Sequence, residues 1–88
     1  MNFIKDFDSA KEMYERSIEI NPNYDIAYNN FGILLENHFK DFDSAKEMYE
    51  RSIQINPNYA KTYDNLGHLL EKHFKDFDSA KEMYERSI

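Results

Sequence analysis

His68 and Glu71 stand three residues apart in HLLE, the spacing at which a helix presents an imidazole and a carboxylate on one face, where zinc chemistry could begin. The second His that such a helix needs is missing. His38 and His73 recur in NHF and KHF, and their expected place is a helix C-terminus, where an imidazolium complements the dipole. The 17 carboxylates are spread over polar stretches, and no pair is set in apolar flanks that would raise a pKa for acid–base work. No Gly-rich phosphate loop occurs, and cysteine is absent, which excludes disulfides, thiol nucleophiles and thiolate metal sites. The expectation is a chain that is not an enzyme, with no cofactor and no metal.

Composition narrows the partners. A formal net charge of −6 with no Lys/Arg run argues against nucleic acid, since phosphate neutralisation needs a concentrated basic face. No stretch approaches the roughly 18 apolar residues of a membrane span, and MNFIKDFDSA reaches charge too early for a signal peptide. The reading is a soluble chain with no membrane partner, for which an intracellular location fits. Seven Tyr and seven Phe supply burial in 88 residues that hold only two Gly and two Pro.

The elements that position these side chains are dictated by repetition. KDFDSAKEMYERSI is written three times, from Lys5, Lys40 and Lys75, a constant step of 35. The intervening EINPNYDIAYNNFGILLENHF and QINPNYAKTYDNLGHLLEKHF are cognate, so the whole chain is periodic at a length that marks a helical array. Tyr28, Phe31, Gly32 and Leu35 fall at i, i+3, i+4 and i+7, as do Tyr63, Leu66, Gly67 and Leu70. Phe42, Ala45, Tyr49, Ser52 and Ile53 make a second stripe with Met48 at its edge. On the opposite side Glu47 and Arg51 are spaced for an i, i+4 ion pair. Asn-Pro-Asn at 21–23 and 56–58 breaks each helix and offers a cap to the next, and Asp41 and Asp76 are expected N-caps. Five helices follow: 5–19, 24–38, 41–55, 59–73 and 76–88. Each, at about 21 Å, is too short to be stable without neighbours.

With the stripes placed, the chain resembles the tetratricopeptide repeat family. The pattern is carried by Tyr28, Phe31, Gly32, Leu35, Ala45, Tyr49 and Pro57, again by Tyr63, Leu66, Gly67, Leu70, Ala80 and Tyr84, and in its second half by Ala10 and Tyr14. The resemblance implies an all-α fold, a right-handed α-solenoid of antiparallel helix-turn-helix repeats. The chain reads as a single domain over 1–88: a half repeat over 1–20, a full repeat over 21–55 and a truncated repeat over 56–88. Gly32 and Ala45 are expected to be small because paired helices approach closely there, with Tyr28 and Tyr49 filling the space around them. The step is one residue longer than the family's usual 34, which places an insertion in ENHFKDF, at a turn that lacks its usual glycine. Lys40 stands near the left-handed position, and the expectation is that the added residue avoids a positive φ.

The family presents a concave face, lined by first helices, to a peptide or extended segment of a partner protein. Between the two copies of the first helix the stripe Ile26, Asn29, Ile33 and Asn37 becomes Lys61, Asp64, His68 and Lys72, at positions that line the family's groove. These residues, with the adjoining Asn30 and Asn65, are the expected peptide-binding set. A carboxylate clamp is not expected, because the basic residues that would accompany Asn30 and Asn65 are missing. For those two the simpler reading is hydrogen bonding to the backbone of a neighbouring helix. The alternative function is a structural repeat segment. Met13, Tyr14 and Ile18 at one end, and Met83, Tyr84 and Ile88 at the other, carry sequences suited to internal packing, and through them self-association or helix exchange into a homo-oligomer is expected.

Overall fold

The computed structural model describes residues 6–88, so Lys5, the expected start of the first helix, lies outside the described residues. Five α-helices follow one another: α1 (Phe7–Ile20), α2 (Asp25–Leu34), α3 (Phe42–Ile55), α4 (Ala60–Leu69) and α5 (Phe77–Ser87). Helices α2 and α4 each run on into a π-helical turn, Leu35–Phe39 and Leu70–Phe74. The stack measures 45 × 26 × 21 Å, an elongated body in which each helix packs on its sequence neighbours.

The thrice-written segment starts in the same way each time. Asp6, Asp41 and Asp76 cap α1, α3 and α5, their carboxylates accepting from the backbone N–H of Ser9, Ser44 and Ser79 at 3.0, 3.2 and 3.2 Å. The Ser9 hydroxyl donates to Asp6 as well, at 2.6 Å, and these bonds hold the Asp6 carboxyl below the usual carboxylate range. The Asn-Pro-Asn turns act differently from expectation. Asn21 and Asn56 close the preceding helices, their N–H groups donating to Ser17 and Ser52 carbonyls, and their side chains accept from the N–H of Asn23 and Asn58. The next helices begin at Tyr24 and Tyr59 with no side-chain cap, so neither Asn23 nor Asn58 serves as one.

The added residue of the 35-residue step is taken up inside the helix end. A π turn holds one more residue than an α turn for the same advance, and Leu35–Phe39 and Leu70–Phe74 are such turns. The left-handed position is kept: Lys40 and Lys75 have φ of 54° and 55°, contrary to the expectation that the longer step avoids it. The reason is carbonyl satisfaction. The Leu35 carbonyl accepts from both Lys40 N–H and Asp41 N–H, and Leu70 accepts from Lys75 and Asp76, a closure that only a left-handed residue at the end of the helix permits.

Packing follows the small residues. A β-carbon on Gly32 would lie 2.6 Å from Tyr49 Cε1, and one on Gly67 would lie 2.8 Å from Tyr84 Cε1, so each glycine is the seat of a tyrosine ring from the paired helix. Ala45, Tyr49, Leu69 and Ser52 are almost wholly enclosed. Leu34, Ala27 and Thr62 are buried too, outside the expected stripes, because α2 and α4 are covered on two sides. The surface pair expected between Glu47 and Arg51 does not form. Arg51 lies over the Tyr28 ring at 5.8 Å, and among the described residues the equivalent pair closes in α5 alone, Glu82 with Arg86 at 3.3 Å.

Candidate interaction surfaces

Two surfaces are built by this stack, one along the first helices and one at its end. Along α2, Ile26 and Asn37 are exposed and Asn30 and Ile33 half-buried; along α4, Lys61, Asp64, His68 and Lys72 are exposed and Asn65 half-buried. Asn29 departs from the expectation of a solvent-facing stripe. It is buried, and its side-chain oxygen accepts from Asn65 Nδ2 at 3.0 Å. Asn65 thus bonds a side chain of the neighbouring first helix and not its backbone. This amide pair links α2 directly to α4.

The surface carries mixed chemistry. Ile26 and Ile33 are apolar at the α2 end. On α4, His68 Nε2 lies 3.8 Å from Asp64, and its ring meets Tyr84 edge-on at 5.2 Å between centroids. No ion pair among the described residues engages Lys61 or Lys72. Glu36 and Glu71, unchanged between copies and absent from the expected set, accept from the hydroxyls of Tyr49 and Tyr84, both at 2.9 Å. Burial, then the Glu36 carboxylate, pushes the Tyr49 phenol well above its ordinary range; burial and Glu71 push Tyr84 up to about 12. Among the described residues no group of three or more His, Cys, Asp or Glu is placed to hold a metal ion, and no helix is long and apolar enough to cross a membrane.

The joints between hairpins repeat one set of contacts. The Phe7 ring stacks on His38 and the Phe42 ring on His73, each at 3.7 Å between centroids. Lys11 lies over the Phe39 ring at 5.1 Å and Lys46 over Phe74 at 5.5 Å. The expectation that His38 and His73 serve the helix dipole omits this role: each is one half of an aromatic clasp at the π turn. In the second joint the Ser52 and Thr62 hydroxyls share a buried hydrogen bond of 3.0 Å, which the first joint lacks because Ala27 stands where Thr62 does.

At the C-terminal end the same face of α5 is open. Phe77 is 60% exposed, and Ile88 is fully exposed. A cleft of about 250 Å³ lies there, lined by Phe77, Ala80, Lys81, Tyr84 and Ile88, with Glu71 at its edge. Met83 and Tyr84 are half-buried. At the other end Met13 is 69% exposed, while Tyr14 and Ile18, expected to be open for association, pack inward, Tyr14 stacking on Phe31 at 5.8 Å. A second cleft, about 350 Å³, separates Ile53, Tyr63, Leu66 and Met83. In the first repeat the matching place holds the bulkier Phe31 and is overlaid by Arg51, whereas Arg86 turns to Glu82.

Helical hairpins stacked through small-residue seats, each burying the apolar stripe of the next, define an α-solenoid. Family models of the tetratricopeptide repeat match residues 13–47 and 60–88, and the chain belongs to the tetratricopeptide repeat family, a class of protein-interaction repeat module. Among solved structures it is similar to two described as crystal structures of MamA, with TM-scores of 0.87 and 0.84 and 25% identity in each case. Both alignments cover 94% of this chain but 47% and 44% of those chains, so it spans less than half their length. Comparison with curated proteins gives no significant match.

Proposed function

We propose that the chain is a non-catalytic module that holds an extended segment of a partner protein across the joined stripes of α2 and α4. The observation that carries this reading is the Asn29–Asn65 bond between α2 and α4, which supports a shared surface bearing Ile26 and Ile33 from one helix and Lys61, His68 and Lys72 from the other. Three of the seven differences between these cognate helices, Ile26/Lys61, Ile33/His68 and Asn37/Lys72, fall on that surface at side chains that are exposed or half-buried in both copies, where recognition and not packing can set the residue. Its chemistry favours a segment with an apolar side chain towards Ile26 and Ile33 and carboxylates towards Lys61 and Lys72.

Selection from a displayed peptide library, followed by titration of the selected peptides into Ile33→Ser and Lys61→Glu variants, tests the proposal. Selected peptides rich in acidic residues, bound at least tenfold more weakly by both variants at unchanged helicity, support it. Peptides bound equally well by the variants would overturn it.

A further inference from the structure

Helix α4 carries chemistry on two sides. With about 100° between successive residues, Tyr63 and Leu66 lie on the side of α4 away from Lys61, His68 and Lys72. They form the buried floor of the cleft of about 350 Å³; half-buried Ile53 of α3 and Met83 of α5 form its walls, and Glu50 and Arg86 stand exposed at its rim. An apolar cavity of roughly 150 Å³ already holds a benzene ring, so one aromatic side chain fits here. The first repeat shows what such a place accepts. There Phe31 of α2 stands where α4 has Leu66, its ring stacked on Tyr14 at 5.8 Å between centroids, and the Arg51 guanidinium covers the neighbouring Tyr28 ring at 5.8 Å. In the second repeat the benzyl group is shortened to isobutyl, and Arg86, the counterpart of Arg51, pairs with Glu82 of its own helix at 3.3 Å. Glu50, across the cleft, makes no ion pair among the described residues.

We propose that this cleft is a second recognition site, for an aromatic side chain of a partner segment with a basic residue beside it. The ring supplies what Leu66 lacks, resting on Tyr63 and Leu66 between Ile53 and the Met83 thioether, a good neighbour for an aromatic edge. Arg86 leaves Glu82 and covers the ring as Arg51 covers Tyr28. That exchange is easy, because both members of the Arg86–Glu82 pair are exposed and such pairs hold weakly. The basic residue of the segment meets Glu50 at the rim, where opposite charge fixes its orientation. This chemistry is the reverse of that on the other side of α4, where Lys61 and Lys72 favour carboxylates. The two faces therefore select different segments, and the cleft stands independently of the surface shared by α2 and α4.

Titration of the full chain with the end-blocked dipeptide Phe-Lys at low salt, followed by NMR, tests this, with Phe-Glu and Ala-Lys dipeptides as comparisons. Expected is saturable binding with a dissociation constant on the order of 1 mM, as one anchoring side chain allows, and shifts centred on Ile53 and the Met83 methyl. Each comparison dipeptide should bind about fivefold more weakly. Leu66→Phe writes the first repeat's residue into the cleft and should weaken binding about tenfold while the fold is kept, since Phe31 is accommodated at the matching place. Glu50→Lys, at an exposed position, should turn the preference from Phe-Lys to Phe-Glu. The proposal is overturned by the absence of saturable shifts at roughly 20 mM dipeptide, or by shifts centred on Ile26 and Ile33. Equal binding of Phe-Lys and Phe-Glu, or Leu66→Phe binding as well as the unaltered chain, overturns it too.

Discussion

The Tyr49 ring lies directly over Gly32, at a distance that leaves no room for a β-carbon: an added one would meet Cε1 at 2.6 Å and Cδ1 at 2.7 Å. The ring cannot easily retreat, since Tyr49 is enclosed in the core and its hydroxyl is held by Glu36. Gly32→Ala gains helix propensity of up to about 1 kcal/mol but forces the hairpin apart, and overpacking of this kind costs roughly 1–3 kcal/mol. A net loss of about 1–2 kcal/mol is expected from urea unfolding. Gly67→Ala should cost less, because Tyr84 is only half-buried and has room to turn.

The buried hydroxyl pair of Ser52 and Thr62 supports a double-mutant cycle. Thr62→Val removes one partner, yet Ser52 can turn to a carbonyl of its own helix as Ser87 does. Each single change is expected to cost about 1 kcal/mol, and Ser52→Ala combined with Thr62→Val should cost less than the sum of the two, as the unfolding free energies will show.

Lys40 and Lys75 hold the left-handed backbone conformation that glycine adopts without strain. Lys40→Gly and Lys75→Gly should each stabilise the fold by about 0.5–1 kcal/mol, seen as a higher thermal midpoint. Replacement by Val, a β-branched residue, should lower it.

Tyr84 gives a pH dependence with a definite sign. Its phenol is raised from the ordinary value of 10.0 to about 12, first by burial and then by the Glu71 carboxylate, which accepts its hydrogen bond. Between those values the folded chain binds more protons than the unfolded one, so this contribution to stability is complete below pH 10 and is lost as pH rises towards 12. Phenolate absorbance should show a tyrosine titrating near pH 12, earlier than the more deeply buried Tyr49, and this component should vanish in Tyr84→Phe. In Glu71→Gln, where the like charge is gone, it should move to lower pH.

The architecture was legible because its signals are redundant: two stripes, a capping Asp and an Asn-Pro-Asn stop recur at each step, so Gly32 and Ala45 could be assigned to close helix contacts from letters alone. The joints were less so. Phe42 and His73 are 31 residues apart, and their stacking depends on how the π turn aims the imidazole, which no local pattern encodes. The same limit explains Asn29. Its stripe was read from spacing along one helix, but its burial is set by Asn65 arriving from the next. Ser52 was placed correctly on a packed face, and its partner was hidden because only one copy carries a threonine there.

The wide turn at Leu35–Phe39 has a wider meaning for the array. A residue inserted into a helix is not slack: it advances the angular phase of everything beyond it by about 100°. The His-Phe dipeptide that ends the turn is therefore aimed by the insertion, and the ring clasp and the 35-residue pitch are two readings of one structural choice. Trimming the period back to 34 would rotate the clasp out of engagement and leave every joint to be refitted.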